Sequence, residues 1–254
     1  MALKLSCETD GAIAIVRLDS PERGNAFGPE DHVALCDLLD VTAAQDGVRC
    51  IVLTAAGPIF SAGADVSSLQ SIDPTRLEAS MLTSLAAVDR TFDDCEVPIV
   101  GAINGPCFGG SVALALKCDM LVAAETARFG FPFARLGILP DSGLTYLLPR
   151  LIGEQRTKAL FMLAGEISAR EALGLGLVHE LCADDQLQGT ALKLAKRYAR
   201  MPAGSARSIR QALIRSRSTT ASEQMAFEAA EQRKAVSAED FKERLASALR
   251  PRRP

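Results

Sequence analysis

A chain of 254 residues, 48% hydrophobic and 23% charged, is long enough for one substantial core or for a domain with a small appendage. A net charge of −3, with two histidines and no tryptophan, provides no field strong enough to imply a nucleic-acid partner. No apolar run reaches the roughly 18 residues of a membrane span, and no basic segment followed by an apolar stretch opens the chain, so a cytoplasmic protein without a membrane partner is expected. Seven cysteines form an odd set with no CxxC pair. Most sit in apolar runs, which predicts free thiols in a reducing compartment.

Residues 3–8 and 12–18 (AIAIVRL) read as strands. From Pro29 to about Ala44 the apolar positions Val33, Leu35, Leu38, Leu39 and Val41 recur at helical spacing. CIVLT at 50–54 is strand-like and leads through AAGPIF into FSAGADVSSL at 60–69. Residues 75–94 are helical in pattern, and Pro98 introduces the strand IVGAI. NGPCFGGSVALALKCD follows at 104–119, its ALALK portion helical, and CDMLVAAE at 118–125 is again strand-like. Strand and helix in alternation predict an α/β domain with a largely parallel sheet. From Leu144 the rhythm changes: segments 144–151, 154–164, 168–175, 185–200, 203–217, 221–235 and 239–249 read as helices broken by Gly and Pro. That change places a core at 1–197 and a C-terminal helical segment at 198–254. The final RPRRP reads as a solvated basic tail.

Several familiar signals fail. GGSVA has alanine where a GxSxG elbow needs its last glycine. GLG at 174–176 follows a helix and lacks the third glycine of a dinucleotide fingerprint, and no GK[ST] marks a P-loop. His32, on the helix of 29–44, and His179, in a helix–strand turn, lack ligand-type spacing, so no metal is expected.

Two stretches of tiny residues remain, each where a strand gives way to a helix. Bare main chain there lets N–H groups approach a bound carbonyl, and one donor from each stretch would make an oxyanion hole. Ser61, Ala62, Gly63 and Ala64 bare the first; Asp65 stands where an N-cap would sit. In the second, the Gly110 N–H would lie at a helix N-terminus, at the positive end of the macrodipole. Close packing of helix on strand is the other reading of Gly109 and Gly110.

FSAGADV and NGPCFGGSVALALKCD, with PERGNAF at 21–27, ARFGFPFARLGILPDSG at 127–143 and LGLVHEL at 175–181, resemble the crotonase superfamily, the enoyl-CoA hydratase/isomerase family. The likeness runs from about residue 10 to 235, with Ser111 where that family's second motif has its third glycine. It implies a crotonase-like spiral of ββα units closed by a helical trimerisation segment, assembled as a homotrimer or a dimer of trimers. It also implies an acyl-CoA thioester substrate, coenzyme A being part of the substrate and no separate cofactor being needed. By resemblance the thioester oxygen accepts the N–H groups of Ala64 and Gly110, while Arg23, Ala62, Asp65 and Val66 meet coenzyme A. An exposed charge is the alternative for Arg23. Phe241 and Lys242 resemble residues that reach coenzyme A from an adjacent subunit; an amphipathic closing helix is the plainer account.

Hydratases of the family carry two glutamates, at positions that here hold Ala113 and Phe133, and neither side chain transfers protons. Asp141 resembles the sole acid of the branch that shifts double bonds, the enoyl-CoA Δ-isomerases and epoxyphenylacetyl-CoA isomerases. One carboxylate then moves a proton from C2 to C4 of an enolate held in the oxyanion hole, with Phe131, Phe133, Leu139 and Leu144 as an expected hydrophobic surround. Taken alone, Pro-Asp-Ser-Gly is a turn. Two alternatives stay open: a hydratase with a non-standard acid such as Glu78 or Asp73, and a catalytically silent acyl-CoA-binding paralogue.

Overall fold

The computed structural model describes residues 2–65, 73–239 and 241–249. The chain divides into two compact units, one ending at Gly204 and the other beginning at Ser205. In the first unit the strands are β1 Leu5–Asp10, β2 Ile13–Leu18, β3 Cys50–Ala55, β4 Ile99–Ile103, β5 Cys107–Phe108, β6 Met120–Ala124, β7 Arg128–Gly130, β8 Glu166–Ser168 and β9 Glu180–Cys182. Its helices are α1 Pro29–Ala43, α2 Pro74–Asp94, α3 Gly110–Lys117, α4 Leu144–Ile152, α5 Glu154–Met162, α6 Ala169–Gly174 and α7 Leu187–Tyr198.

The larger sheet has the order β1-β2-β3-β4-β6-β9. Only the β1–β2 hairpin in it is antiparallel. Residues two apart share a face, and the β-branched runs sort accordingly. Val16, Leu18, Ile51, Leu53, Ile99 and Ile103 enter the main core. Ile15, Cys50, Val52, Val100 and Val122 turn to the other face, where Leu187, Ala191, Leu194 and Ala195 of α7 cover them. The expected break at residue 197 falls inside α7, and this first unit continues to Gly204. A smaller sheet, β5-β7-β8, stands beside the larger one.

The second unit consists of α8 Ser205–Arg215, α9 Ala221–Ser237 and α10 Phe241–Ala248. Thr220 and Glu223 form a reciprocal capping box at the start of α9. Gln224 donates to the Ala212 carbonyl at 3.0 Å, tying α9 to α8. The basic residues 250–254 lie outside the described residues. All seven cysteines are free thiols. Among the described residues no helix is long and apolar enough to cross a membrane.

Candidate active site

Three adjacent parallel strands, β2, β3 and β4, send their following loops out at one end of the sheet, the carboxyl end, where open α/β sheets bind ligands. After β2 comes PERGNAF, after β3 the first small-residue stretch, after β4 the second. Asn25 fastens the first two loops. Its side chain accepts from the Ser20 N–H at 2.8 Å and donates to the carbonyls of Ala56 and Ile59 at 3.0 and 2.8 Å.

Phe27 then pairs with Ala64 in a parallel bridge. The Phe27 N–H donates to the Gly63 carbonyl at 2.8 Å, and the Asp65 N–H donates to the Phe27 carbonyl at 2.9 Å. In a parallel ladder the residue between those two partners turns its own N–H to the opposite edge. The Ala64 N–H therefore faces away from Phe27, and it has no partner among the described residues.

On that opposite edge runs the second stretch. Ser61 pairs in parallel with Cys107: the Ser61 N–H reaches the Pro106 carbonyl at 3.1 Å, and the Phe108 N–H reaches the Ser61 carbonyl at 2.9 Å. Beyond that bridge Gly63 comes to lie against Phe108 and Gly109. The approach is close. A Cβ on Gly63, whose φ is +90°, would lie 2.5 Å from the Phe108 carbonyl oxygen and 3.6 Å from the Gly109 Cα. Ser111, standing where the family motif has its third glycine, clasps the two stretches: its hydroxyl donates to the Phe108 carbonyl at 2.7 Å and lies 3.2 Å from that of Ser61. Gly110 is the first residue of α3, and its N–H too has no partner among the described residues. Two main-chain donors thus lie unpartnered on stretches that approach closely, with Gly63 against Gly109.

The small sheet brings in the acid. β5 pairs with β7, and the Gly109 N–H donates to the Gly130 carbonyl at 2.9 Å, which carries the chain after β7 alongside α3. A 3-10 turn, Pro132–Leu136, seats the buried Phe133 ring so that its Cζ would be 4.0 Å from a Cβ on Gly109. Asp141 and Ser142 follow, with the Leu144 N–H closing a turn onto the Asp141 carbonyl at 2.9 Å. A Cβ on Gly110 would lie 3.0 Å from Ser142 Oγ and 3.6 Å from Asp141 Oδ1. Glycine at 110 is what lets this pair approach the donor. Asp141 is half-buried, and Ser142 Oγ donates to its Oδ1 at 3.0 Å. Arg150 stacks on the Tyr146 ring and donates to the Tyr146 carbonyl.

The expected hydrophobic surround needs one correction. Phe131, Phe133 and Leu144 are buried, but Leu139, in the loop past the 3-10 turn, is 77% exposed and leaves its side chain in solvent. The other acids considered stand apart in character. Asp73 is exposed and caps α2, its carboxylate accepting from the N–H and hydroxyl of Thr75, bonds that hold it below the usual carboxylate range. Glu78 is exposed on α2.

Of the residues expected to meet coenzyme A, Arg23, Ala62 and Asp65 lie together. The Ala62 N–H donates to the Gly24 carbonyl at 2.8 Å, and the Arg23 guanidinium pairs with the Asp65 carboxylate, both side chains largely buried. The Asp65 carboxylate balances Arg23; the helix it was expected to cap lies outside the described residues. Val66 lies outside the described residues.

His32 escaped the sequence reading, which saw a lone histidine without ligand spacing. In the structure it borders a small cleft with Gly110, Ala113 and Ser142. Its ring stacks on Phe27, 4.9 Å between centroids and 9° between planes, and Nδ1 is buried without a partner among the described residues. Burial pushes its pKa below the ordinary histidine value, against the opposing pull of Asp31 and Asp141.

Residues 8–252 match the enoyl-CoA hydratase/isomerase family. The chain is 33% identical over 246 residues to the 1,2-epoxyphenylacetyl-CoA isomerase of Escherichia coli K12, covering 95% of this chain and 94% of that protein. It is 30% identical over 248 residues to the short-chain-enoyl-CoA hydratase of Clostridium acetobutylicum, covering 97% and 94%. Among solved structures, an enoyl-CoA hydratase subunit I from Geobacillus kaustophilus HTA426 superposes with a TM-score of 0.91 at 33% identity, covering 100% of this chain and 98% of that one.

Proposed function

This chain belongs to the enoyl-CoA hydratase/isomerase family and has its α/β crotonase fold with a C-terminal helical region, and we propose that within the family it is an isomerase, converting 3-enoyl-CoA to 2-enoyl-CoA. The thioester oxygen accepts the N–H groups of Ala64 and Gly110. Polarised in this way, the thioester acidifies C2. Asp141 removes a C2 proton, the electron pair passes into a dienolate whose oxygen carries the charge, and the protonated carboxyl returns the proton to C4. The product is the conjugated isomer, with the carboxylate regenerated.

One observation supports this reading: Gly63 packs against Phe108 and Gly109, so the residues that follow, Ala64 and Gly110, carry unpartnered N–H groups, and Asp141 Oδ1 lies 3.6 Å from where a Gly110 Cβ would be. Each such donor is worth about 3–4 kcal/mol of enolate stabilisation. Ala113 and Phe133, both buried and unable to move protons, support a route with one carboxylate over the usual pair. Ser142 supplies the hydrogen bond that orients Asp141. The coenzyme A end of the substrate runs over Ala62, and the Arg23–Asp65 pair fixes the loop beneath it.

The test supplies a 3-enoyl-CoA and follows absorbance of the conjugated thioester. A steady gain is expected. Acyl-CoA binding with no gain would overturn the isomerase reading.

A further inference from the structure

Where the two small-residue stretches approach, a buried polar cluster stands that the isomerase reading leaves without a task. Ser61, Cys107 and Ser111 are all buried. The Ser111 hydroxyl donates to the Phe108 carbonyl at 2.7 Å, lies 3.2 Å from the Ser61 carbonyl, and has Cys107 Sγ at 3.5 Å. A hydroxyl has one proton to give. With that proton on Phe108, the thiol is the group that donates to Ser111, and burial, which pushes the Cys107 pKa up to about 12, keeps it protonated.

The peptide units around Gly110 show what this anchor does. The Gly110 N–H belongs to the Gly109–Gly110 peptide, whose carbonyl accepts the Val112 N–H at 3.1 Å. The preceding peptide is held at both ends, its Gly109 N–H on the Gly130 carbonyl at 2.9 Å and its Phe108 carbonyl on the Ser111 hydroxyl. Between the two peptides stands Gly109 at φ +61° and ψ −133°, a combination that residues with side chains rarely adopt. No side chain stiffens this pivot, so the direction of the Gly110 N–H depends on the anchors to either side. The Phe108 carbonyl oxygen is also the atom that would lie 2.5 Å from a Cβ on Gly63, the residue that leads into Ala64.

Resting on the acyl site described above, we propose that Ser111 is a positioning residue for the oxyanion hole: by holding the Phe108 carbonyl it aims the Gly110 N–H at the thioester oxygen and keeps its stretch against that of Ala64. The hydroxyl touches neither the substrate nor the reacting atoms and acts through the peptide it fixes. Preorganised donors of this kind stabilise a developing oxyanion because they need not reorient as charge builds. The glycine that the family motif has at this position offers no such anchor.

The experiment binds butanoyl-CoA, isotope-labelled at its carbonyl carbon, and reads the thioester C=O stretch by difference infrared spectroscopy, with 3-enoyl-CoA turnover measured separately. In wild-type protein the stretch is expected below its value in water, because the two donors polarise the bond. Ser111→Ala is expected to lose about half of that shift or more. Its kcat is expected to fall about tenfold, less than the roughly 100-fold that a 1 Å misplacement costs, with KM within about threefold. Should Ser111→Ala fail to fold, Ser111→Gly, the residue of the family motif, gives the same readout. A full wild-type shift in the variant overturns the inference even if the melt moves, since a serine that only packs would lower Tm and leave the carbonyl unchanged. Wild-type protein that binds the acyl-CoA with no shift overturns the oxyanion hole and this inference together. A shift that the variant loses, in a protein that does not isomerise, refutes the isomerase reading and leaves the inference standing.

Discussion

Replacing Gly110 by alanine separates catalysis from stability. The glycine starts α3, and its φ is not positive, so alanine fits the backbone. Stability is expected to hold or rise by up to about 1 kcal/mol from helix propensity and from the stiffer unfolded chain. The added methyl, however, would stand 3.0 Å from Ser142 Oγ and 3.6 Å from Asp141 Oδ1. Ser142 must give way by a few tenths of an ångström, and the carboxylate it holds at 3.0 Å moves with it. A misplacement of about 1 Å costs on the order of 100-fold. The smaller shift here, combined with crowding of the donor, is expected to lower kcat/KM for 3-enoyl-CoA by roughly 10- to 100-fold, about 1.4–2.7 kcal/mol. The assay is the absorbance gain of the conjugated product, with a thermal melt alongside. Unchanged kcat/KM would refute the placement of Asp141 against Gly110; a Tm loss above about 5 °C, beyond a 1 kcal/mol effect in a chain of this size, would refute the backbone argument.

Gly63→Ala is expected to behave in the opposite way, since its φ is +90° and its Cβ would meet the Phe108 carbonyl oxygen at 2.5 Å. A loss on the order of 2–3 kcal/mol should appear in denaturant melts, and a wild-type midpoint would contradict the close approach of the two stretches. His32 predicts a dependence on pH. Asp31 and Asp141 pull its pKa up, Asp89 and Lys117 line the same cleft, and burial prevails to lower it below 6.5. The unfolded ring therefore takes a proton as pH falls through 6.5 while the folded ring remains neutral, so stability present above 6.5 is lost on acidification towards the folded pKa. Tm should fall between pH 7 and 5.5, less steeply in His32→Gln. Identical slopes would rule out a buried neutral His32.

Most of the large sheet and most helices were legible because each depends on a long local pattern. The runs that became β2, β3, β4 and β6 are apolar and β-branched, and they are bounded by Gly, Pro or Asp. β5, β7, β8 and β9 are only two or three residues long. Runs that short carry no period to read, yet the β5–β7 pairing leads the chain towards Asp141 alongside α3. The two small-residue stretches were legible as bare main chain, but their close approach depends on the Ser61–Cys107 pairing, a pairing between distant segments that neither stretch states alone. Asp65 reads as a cap by its position; only the folded chain shows Arg23 against it. His32 was invisible for a related reason. Its significance comes from Gly110, Ala113 and Ser142 across the cleft, not from its neighbours in α1.

Asp141→Asn tests the central claim most directly, because the amide keeps the shape and the Ser142 contact while losing the ability to carry the proton. Isomerisation of 3-enoyl-CoA is expected to fall by about 1,000-fold or more, with acyl-CoA affinity within about threefold of wild type. A variant that still isomerises within tenfold of the wild-type rate would contradict a mechanism that moves the proton on this carboxylate.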